Sequence, residues 1–420
     1  MTVFEDLESE VRSYCRSWPV VFDTAQGARL NDVDGRSYLD FFAGAGALNY
    51  GHNPPKLKGP MLEYLAKDGI THGLDMYTVA KGEFLHTFEE IVLRPRDLEY
   101  KVQFPGPTGA NSVESALKLA RKITGRESII NFTHAFHGMT LGALSVTGNS
   151  MKRGGAGIPL VHATPMPFDN YFDGTVPDFL WLDRLLGDAG SGLNYPAAVI
   201  VETVQGEGGI NPARVEWLQG LADLCHRHDI LLIVDDVQMG VGRTGPFFSF
   251  EIAGIRPDIV CLSKSISGYG LPMALTLIKP EYDQWGPGEH NGTFRGNNLA
   301  FVTATAALRE FWSDDVMERS TIAKGERTEA ALTELAAESS VVELTPKGRG
   351  LARGLAFSQP ELAAKSCAAA FGRGLLMETS GPSDEVMKIM PPLTVTDAEL
   401  EEGLAIVRDS VLATLEGVSA

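Results

Sequence analysis

The stretch ILLIVDDVQMG, residues 230–240, decides how the chain is read. An unbroken apolar run rich in β-branched residues, with no polar alternation, predicts a strand buried on both faces, as in a mostly parallel sheet covered by helices. The run ends in two aspartates. Ligands of open α/β sheets collect beyond the carboxyl ends of the strands, so one of these carboxylates is expected in a buried crevice. A charge taken out of water needs a cation or a proton. An aspartate there can also simply cap a loop or hold an ion pair.

Similar short runs recur outward from this one, at 100–104, 128–132, 197–202, 258–262 and 273–278, with helical patterns at 112–123, 215–228 and 299–312. Strands alternating with helices predict an α/β fold without internal repeats. Before them, RLNDVDGRSYL (29–39) reads as a hairpin around Asp34-Gly35. Past residue 310 come an amphipathic stretch to 339, a strand at 350–357, a helix at 361–372, two short strands and a last helix from 397. We expect an N-terminal segment, 1–55, packed with a small α+β domain, 311–420, and a large domain, 56–310.

Composition narrows the partners. The 420 residues are 44% hydrophobic and 21% charged, an ordinary globular balance, and carry a net charge of −18. Phosphate backbones and anionic membranes are therefore unfavourable partners. The four cysteines, Cys15, Cys225, Cys261 and Cys367, lie far apart without metal-ligand spacing, so we expect free thiols, no metal site and a reducing cytoplasm. No signal-peptide core is visible, and no apolar run approaches the roughly 20 residues of a membrane helix. No Gly-x-Gly-x-x-Gly opens a helix after the first sheet strand, which disfavours a nicotinamide dehydrogenase.

The candidate chemistry begins with Lys264 in CLSKSISGYG (261–270), at the end of the strand after the one carrying Asp235. A lysine amine and an aspartate at neighbouring strand ends suit pyridoxal phosphate, where the amine forms a Schiff base and the carboxylate keeps the pyridine nitrogen protonated. Three further stretches fit. The small residues of FPGPTGAN (104–111) precede a helix expected to begin near Ser112, where backbone N–H groups hold a phosphate. Phe136 in AFHG (135–138) offers a stacking ring, and NGTFRGN (291–297) is a polar loop before a helix. Alone, each has a plainer reading as a structural turn, a core aromatic or a helix cap.

Taken together, VDDVQMGVGRTG (234–245), SKSISGYGLPMA (263–274), TGANSVESALKLAR (108–121), FHG (136–138) and GTFRGNNLA (292–300) resemble the class III aminotransferases of the fold-type I pyridoxal-phosphate superfamily over nearly the whole chain. The resemblance implies a mostly parallel seven-stranded sheet with helices on both faces. It implies Asp235 on the ring nitrogen, Val237 under the ring, Gln238 at the ring hydroxyl, Phe136 stacked on it, Gly109 and Ala110 at the phosphate and Lys264 as the Schiff-base residue. Thr293 would reach the phosphate of a neighbouring subunit's cofactor, implying a homodimer or an assembly of dimers.

Substrate residues depart from the family's pattern. Met139 stands where ornithine-type members carry an arginine, and Lys388 where relatives hold a carboxylate with arginine's bidentate fork. Glu207, in QGEGG (205–209), resembles a gating glutamate that pairs with that cation, and the segment around Gly44 approaches the substrate in relatives. Residues 7–53 resemble the branch of the family that serves ectoine biosynthesis. That implies transfer of the amino group of L-glutamate to the aldehyde of L-aspartate 4-semialdehyde, giving L-2,4-diaminobutyrate and 2-oxoglutarate. Other class III enzymes, acting on diaminobutyrate for siderophores or polyamines, on ornithine or on 4-aminobutyrate, remain alternatives, as does an aminomutase or decarboxylase on the same scaffold.

Overall fold

Residues Leu231–Asp235 form the middle strand of a seven-stranded sheet. In the computed structural model, which describes residues 2–176 and 178–419, the order is Lys101–Gln103, Leu275–Ile278, Ile259–Leu262, Leu231–Asp235, Ala198–Val201, Ile129–Phe132 and Ala163–Met166. All run the same way except Leu275–Ile278, antiparallel to both neighbours. The absence of alternation in the sequence has a direct cause. Leu232 and Val234 pack with Trp217, Leu221 and Leu224 of helix Val215–Arg227 on one face. Leu231 and Ile233 pack with Val113, Leu117 and Ala120 of helix Gly109–Thr124 on the other. Each such side chain contributes about 1.5–3 kcal/mol by leaving water, so both faces select apolar residues.

Two details differ from the sequence expectation. Ala163–Met166, not among the runs picked out, is the seventh strand; it lies at the sheet edge, where Pro165 removes no ladder hydrogen bond that the sheet needs. The helix expected from Ser112 begins at Gly109, because Thr108 caps it. The Thr108 hydroxyl accepts from the Asn111 N–H, and Asn111 Oδ1 accepts from the Thr108 N–H at 3.2 Å. Gly109 and Ala110 thus form the first turn of the helix rather than a loop before it.

The C-terminal part builds a second, antiparallel sheet in the order Leu344–Arg349, Ala352–Phe357, Val386–Ile389, Glu378–Ser380. Residues from helices Val316–Glu338, Glu361–Gly372 and Asp397–Ser419 share its hydrophobic cluster, together with Leu39 and Phe41 from near the N-terminus. The hairpin read at 29–39 is present as Arg29–Asp32 and Ser37–Asp40, joined by Phe22–Gln26. Leu375–Leu376 adds in parallel to Ser37–Asp40. Among the described residues no helix is long and apolar enough to cross a membrane.

Register positions the site. Asp235 stands opposite Cys261, three residues before Lys264, and Val234 stands opposite Val201, the residue before Glu202. Asp235, Glu202 and Lys264 therefore emerge along one edge of the sheet.

Candidate active site

A cleft of about 170 Å³ opens at that edge, partly to solvent, and Lys264, Asp235 and Glu202 all line it. Lys264 adopts a left-handed backbone conformation, φ 51°, immediately after its strand. This conformation is uncommon outside glycine and is held only where the surroundings determine it, as at many functional sites. It turns the side chain into the cleft, where Nζ donates to the Ala45 carbonyl at 2.8 Å. Burial lowers the amine's pKa to about 8. That carbonyl is presented by a left-handed turn at Gly44 and Ala45.

Asp235 is held in place from the side. Its Oδ2 lies 2.7 Å from Nδ1 of His137, and its Oδ1 accepts from the Val237 N–H at 3.2 Å. Burial works against a charged His137, but the hydrogen bond to Asp235 and the charges of Asp235 and Glu202 outweigh it and raise its pKa. Nε2 of His137 is buried without a partner. Glu202 accepts from the N–H groups of Phe136 at 2.9 Å and Gly206 at 3.3 Å, and burial pushes its pKa up to about 7. The adjacent Asp236 points the other way, as strand alternation requires. It is fully buried, accepts from the Ser249 N–H at 3.0 Å, and has its pKa raised by burial to about 7.

The opposite wall is the first turn of helix Gly109–Thr124, with Gly109 and Ala110 facing the cleft. A Cβ on Gly109 would come within 2.8 Å of Val237, so glycine lets the helix's first turn pack this closely against that side chain. Phe136 and Gly138 line another side, with Val237, Gln238 and Met239 completing the wall.

Behind Glu207 lies Lys388, only 1% exposed, with Nζ 2.7 Å from Glu207 Oε1 and 2.6 Å from Glu378 Oε1, the latter off the hydrogen-bonding direction. The second contact follows from register, since Glu378 and Lys388 are paired across adjacent strands. Burial alone would discharge Lys388; Glu207 and Glu378 reverse that and raise its pKa. Burial would likewise raise Glu207, but Lys388 and Lys264 outweigh it and hold its pKa at about 2. Glu378 is raised, by burial first. Gln238 donates its amide to the Ala45 carbonyl at 2.9 Å and to Glu207 at 3.2 Å, tying this cluster to Lys264.

The cleft thus gathers Lys264, Asp235, Gly109, Ala110, Phe136, Val237, Gln238 and Glu207 from the sequence expectation, with Lys388 one side chain further back. Gly44 is not on its wall; the neighbouring Ala45 carbonyl reaches in its place. Thr293 is exposed, away from the cleft of its own chain, and Met139 is 55% exposed. His137, Glu202 and Glu378 were missed. His137 follows Phe136 directly, and Glu202 ends a strand as Asp235 does, so the strand-end rule that singled out Asp235 would have found it. Glu378 carries no signal before register is known.

The donor set, a buried amine, an imidazole-backed carboxylate and a helix N-terminus around one cleft, suits pyridoxal phosphate, and the sequence pattern of "Aminotransferase class-III" matches residues 13–411. The chain belongs to the class-III aminotransferases. A diaminobutyrate–2-oxoglutarate transaminase of Streptomyces anulatus is 68% identical over 96% of this chain and 96% of its own length. One from Halalkalibacterium halodurans is 59% identical over 99% and 97%. Among solved structures, the ornithine aminotransferase of Toxoplasma gondii, in which pyridoxal phosphate partly occupies the active site, superposes with TM-score 0.86 at 25% identity, covering 99% of this chain and 94% of that one. The acetylornithine aminotransferase of Elizabethkingia anophelis gives 0.80 at 25%, covering 98% and 97%. This class-III aminotransferase therefore has the fold-type I architecture, as the resemblance implied.

Proposed function

We propose that the chain is a pyridoxal-phosphate transaminase that moves the amino group of L-glutamate to the aldehyde of L-aspartate 4-semialdehyde, yielding 2-oxoglutarate and L-2,4-diaminobutyrate, the step that feeds ectoine formation. The observation that carries the chemistry is Lys264 buried at one strand end beside the His137-backed Asp235 at the next. The substrates rest on the near-full-length similarity to transaminases bearing that name.

The residues present fit the cofactor. The glycine cradle at Gly109 and the buried, outward-aimed carboxylate of Asp235 supply the anion site and the ring partner it needs. Pyridoxal phosphate, when bound, supplies an aldehyde to Lys264 and a ring that takes up the electron pair released at the substrate carbon. Gly109 and Ala110 would hold the phosphate with backbone N–H groups, Val237 and Phe136 would hold the ring, and Gln238 would stand near its hydroxyl. Asp235, aimed by His137, would keep the proton on the ring nitrogen. Lys264, whose pKa of about 8 leaves part of it neutral, takes a proton from the reacting carbon and returns it on the other side of the exchange. Glu207 shields Lys388 when no carboxylate sits next to the reacting carbon and turns aside for the α-carboxylate of glutamate.

Thr293 would act on a second copy. Its loop is tied to the 72–73 segment by a bridge between His72 and Asn297, by a hydrogen bond from the Gly73 N–H to the Gly296 carbonyl and by contact between the rings of Phe294 and His72. The same region exposes Ile70, Met76, Tyr77, Val79 and Phe294, an apolar face that supports a homodimer in which Thr293 reaches the partner's phosphate. The free cysteines fit a cytoplasmic setting. The hydrophobic cluster of the C-terminal sheet, which takes in Ala28, Leu39 and Phe41, is separate from that of the central sheet and supports a small domain packed with the N-terminal segment, although Trp312, Met317, Leu351 and Leu393 belong to the central cluster.

The test is the absorbance of purified protein titrated with glutamate and then with aspartate semialdehyde. The lysine-bound cofactor band disappears with the first and returns with the second, and Lys264→Ala lacks both the band and turnover. Sustained turnover in that variant sinks the assignment.

A further inference from the structure

Four consecutive residues, Ala43, Gly44, Ala45 and Gly46, take positive φ values of 49°, 58°, 56° and 84°. They make one left-handed turn, closed by the Leu48 N–H on the Ala43 carbonyl at 3.0 Å and the Ala47 N–H on the Gly44 carbonyl at 3.2 Å. L-residues adopt such turns only at a cost, and two of these four are alanines, so the surroundings must hold the conformation. What the turn presents is the Ala45 carbonyl, which accepts from Lys264 Nζ at 2.8 Å and from Gln238 Nε2 at 2.9 Å.

Support comes from both ends of the turn. Before it, Asp40 Oδ1 accepts from the N–H groups of Phe42 at 2.8 Å and Ala43 at 2.7 Å. After it, Ser265, the residue next to Lys264, donates its hydroxyl to the Gly46 carbonyl at 2.8 Å and accepts from the Asn49 N–H at 3.1 Å. Asn49 donates its amide to the Val241 carbonyl at 2.8 Å and accepts on Oδ1 from Arg243 Nη2 at 2.6 Å. Arg243 Nη1 donates to the carbonyls of Pro391 at 2.6 Å and Leu351 at 3.2 Å. The Leu393 N–H closes on the Asn49 carbonyl at 2.7 Å. Ser265, Asn49 and Arg243 are all buried.

Arg243 stands out in this chain of bonds. Among the described residues no carboxylate is bonded to it, and burial lowers its pKa to about 9 against the charge of Asp40. A buried cation without an ion pair is unfavourable. Its planar fork, however, lets one side chain hold oxygens from three separate segments at once. Pro391 lies three residues after Lys388. The stretch carrying Lys388 therefore reaches the Ala45 turn by two routes, through Glu207 and Gln238 in the cleft and through Arg243, Asn49 and Ser265 behind it.

We propose that Ser265, Asn49 and Arg243 are positioning residues for Lys264, holding the left-handed turn from behind and tying it to the stretch that carries Lys388. The inference rests on Lys264 as the cofactor-bearing lysine assigned above. An amine released from the cofactor then has one fixed acceptor, and it keeps one separation from the Lys388 cation while the Glu207 side chain moves between them.

The test reads Lys264 before any turnover, from the rate at which the apoenzyme captures pyridoxal phosphate across pH, since the neutral amine is the form that reacts. The wild-type midpoint is expected near pH 8. Ser265→Ala frees the turn and takes the carbonyl acceptor from the ammonium, so the midpoint falls by about half a unit or more. In the holoenzyme the same variant loses about tenfold in kcat with glutamate at little-changed KM. Arg243→Lys and Asn49→Ala, either of which serves where the other does not fold, move the midpoint the same way. Each of them combined with Ser265→Ala moves it no further than Ser265→Ala alone. The other charges that act on Lys264, those of Glu207, Lys388, Glu378 and Asp235, stay in place throughout. A midpoint unmoved in Ser265→Ala, or shifts that simply add, overturns the proposal and leaves these residues a packing role. Wild-type apoenzyme that captures no cofactor at Lys264 overturns the cofactor assignment instead. The tie is then judged by hydrogen exchange, where the amides of residues 44–49 exchange about tenfold faster in Ser265→Ala, and unchanged exchange overturns it.

Discussion

Nδ1 of His137 lies 2.7 Å from Oδ2 of Asp235, with both side chains out of water. Removing the imidazole leaves Asp235 with the Val237 N–H as its remaining hydrogen-bond donor. His137→Phe is expected to lower kcat by about tenfold to a hundredfold, as for outer partners of metal ligands, while Lys264 still binds the cofactor. Steady-state kinetics together with the cofactor spectrum check this. Because His137 has a raised pKa in the folded protein, its stabilising pairing is complete at pH below its ordinary value of 6.5 and is lost as pH rises through the raised one. The wild-type advantage in Tm over His137→Phe should shrink as the buffer becomes alkaline.

Glu202 and Glu207 titrate in opposite senses. Glu202, raised from 4.5 to about 7, binds its proton more tightly when folded, so its contribution to stability is lost as pH rises from 4.5 through about 7. Glu207, lowered from 4.5 to about 2, contributes above 4.5 and is lost as pH falls towards 2. Glu202→Gln should flatten the decline of Tm between pH 5 and about 8, and Glu207→Gln should flatten the acid limb. Thermal unfolding across pH reads both.

Lys388 is a buried cation between two carboxylates. Lys388→Met leaves both acids without their cation and is expected to cost about 3–5 kcal/mol. Adding Glu378→Gln to that variant should recover part of the loss, because one of the stranded charges is removed. Denaturant unfolding of the holoenzyme variants measures the coupling.

The cradle at Gly109 is a steric statement. Alanine there gains helix propensity of about 1 kcal/mol, but its Cβ meets Val237 at 2.8 Å. Gly109→Ala should weaken retention of pyridoxal phosphate by about tenfold without unfolding the protein. Spectrophotometric cofactor titration, with circular dichroism alongside, separates the two effects.

Much of this was legible in the sequence because it follows from local rules. An apolar run ending in Asp235, a lysine one strand later and a glycine turn before a helix each signal a strand end, and strand ends share one edge of a parallel sheet. The start of helix Gly109–Thr124 was misread because capping by Thr108 and Asn111 overrode the poor helix propensity of glycine. Strand Ala163–Met166 was hidden by its proline. Glu378 was illegible for another reason: its contact with Lys388 depends on antiparallel register, which has no sequence period.

The parallel pairing of Leu375–Leu376 with Ser37–Asp40 has a consequence for synthesis. A side-chain hydrogen bond from Arg36 to the Gly372 carbonyl closes a separation of 336 residues at the same place. On the ribosome the N-terminal hairpin emerges first and waits, unpartnered along that edge, until nearly all of the chain has been made. The Ala45 carbonyl that holds Lys264 and Gln238 follows directly on that hairpin. A truncated chain that lacks its last fifty or so residues is thus expected to fold its central sheet and still leave the lysine without its berth.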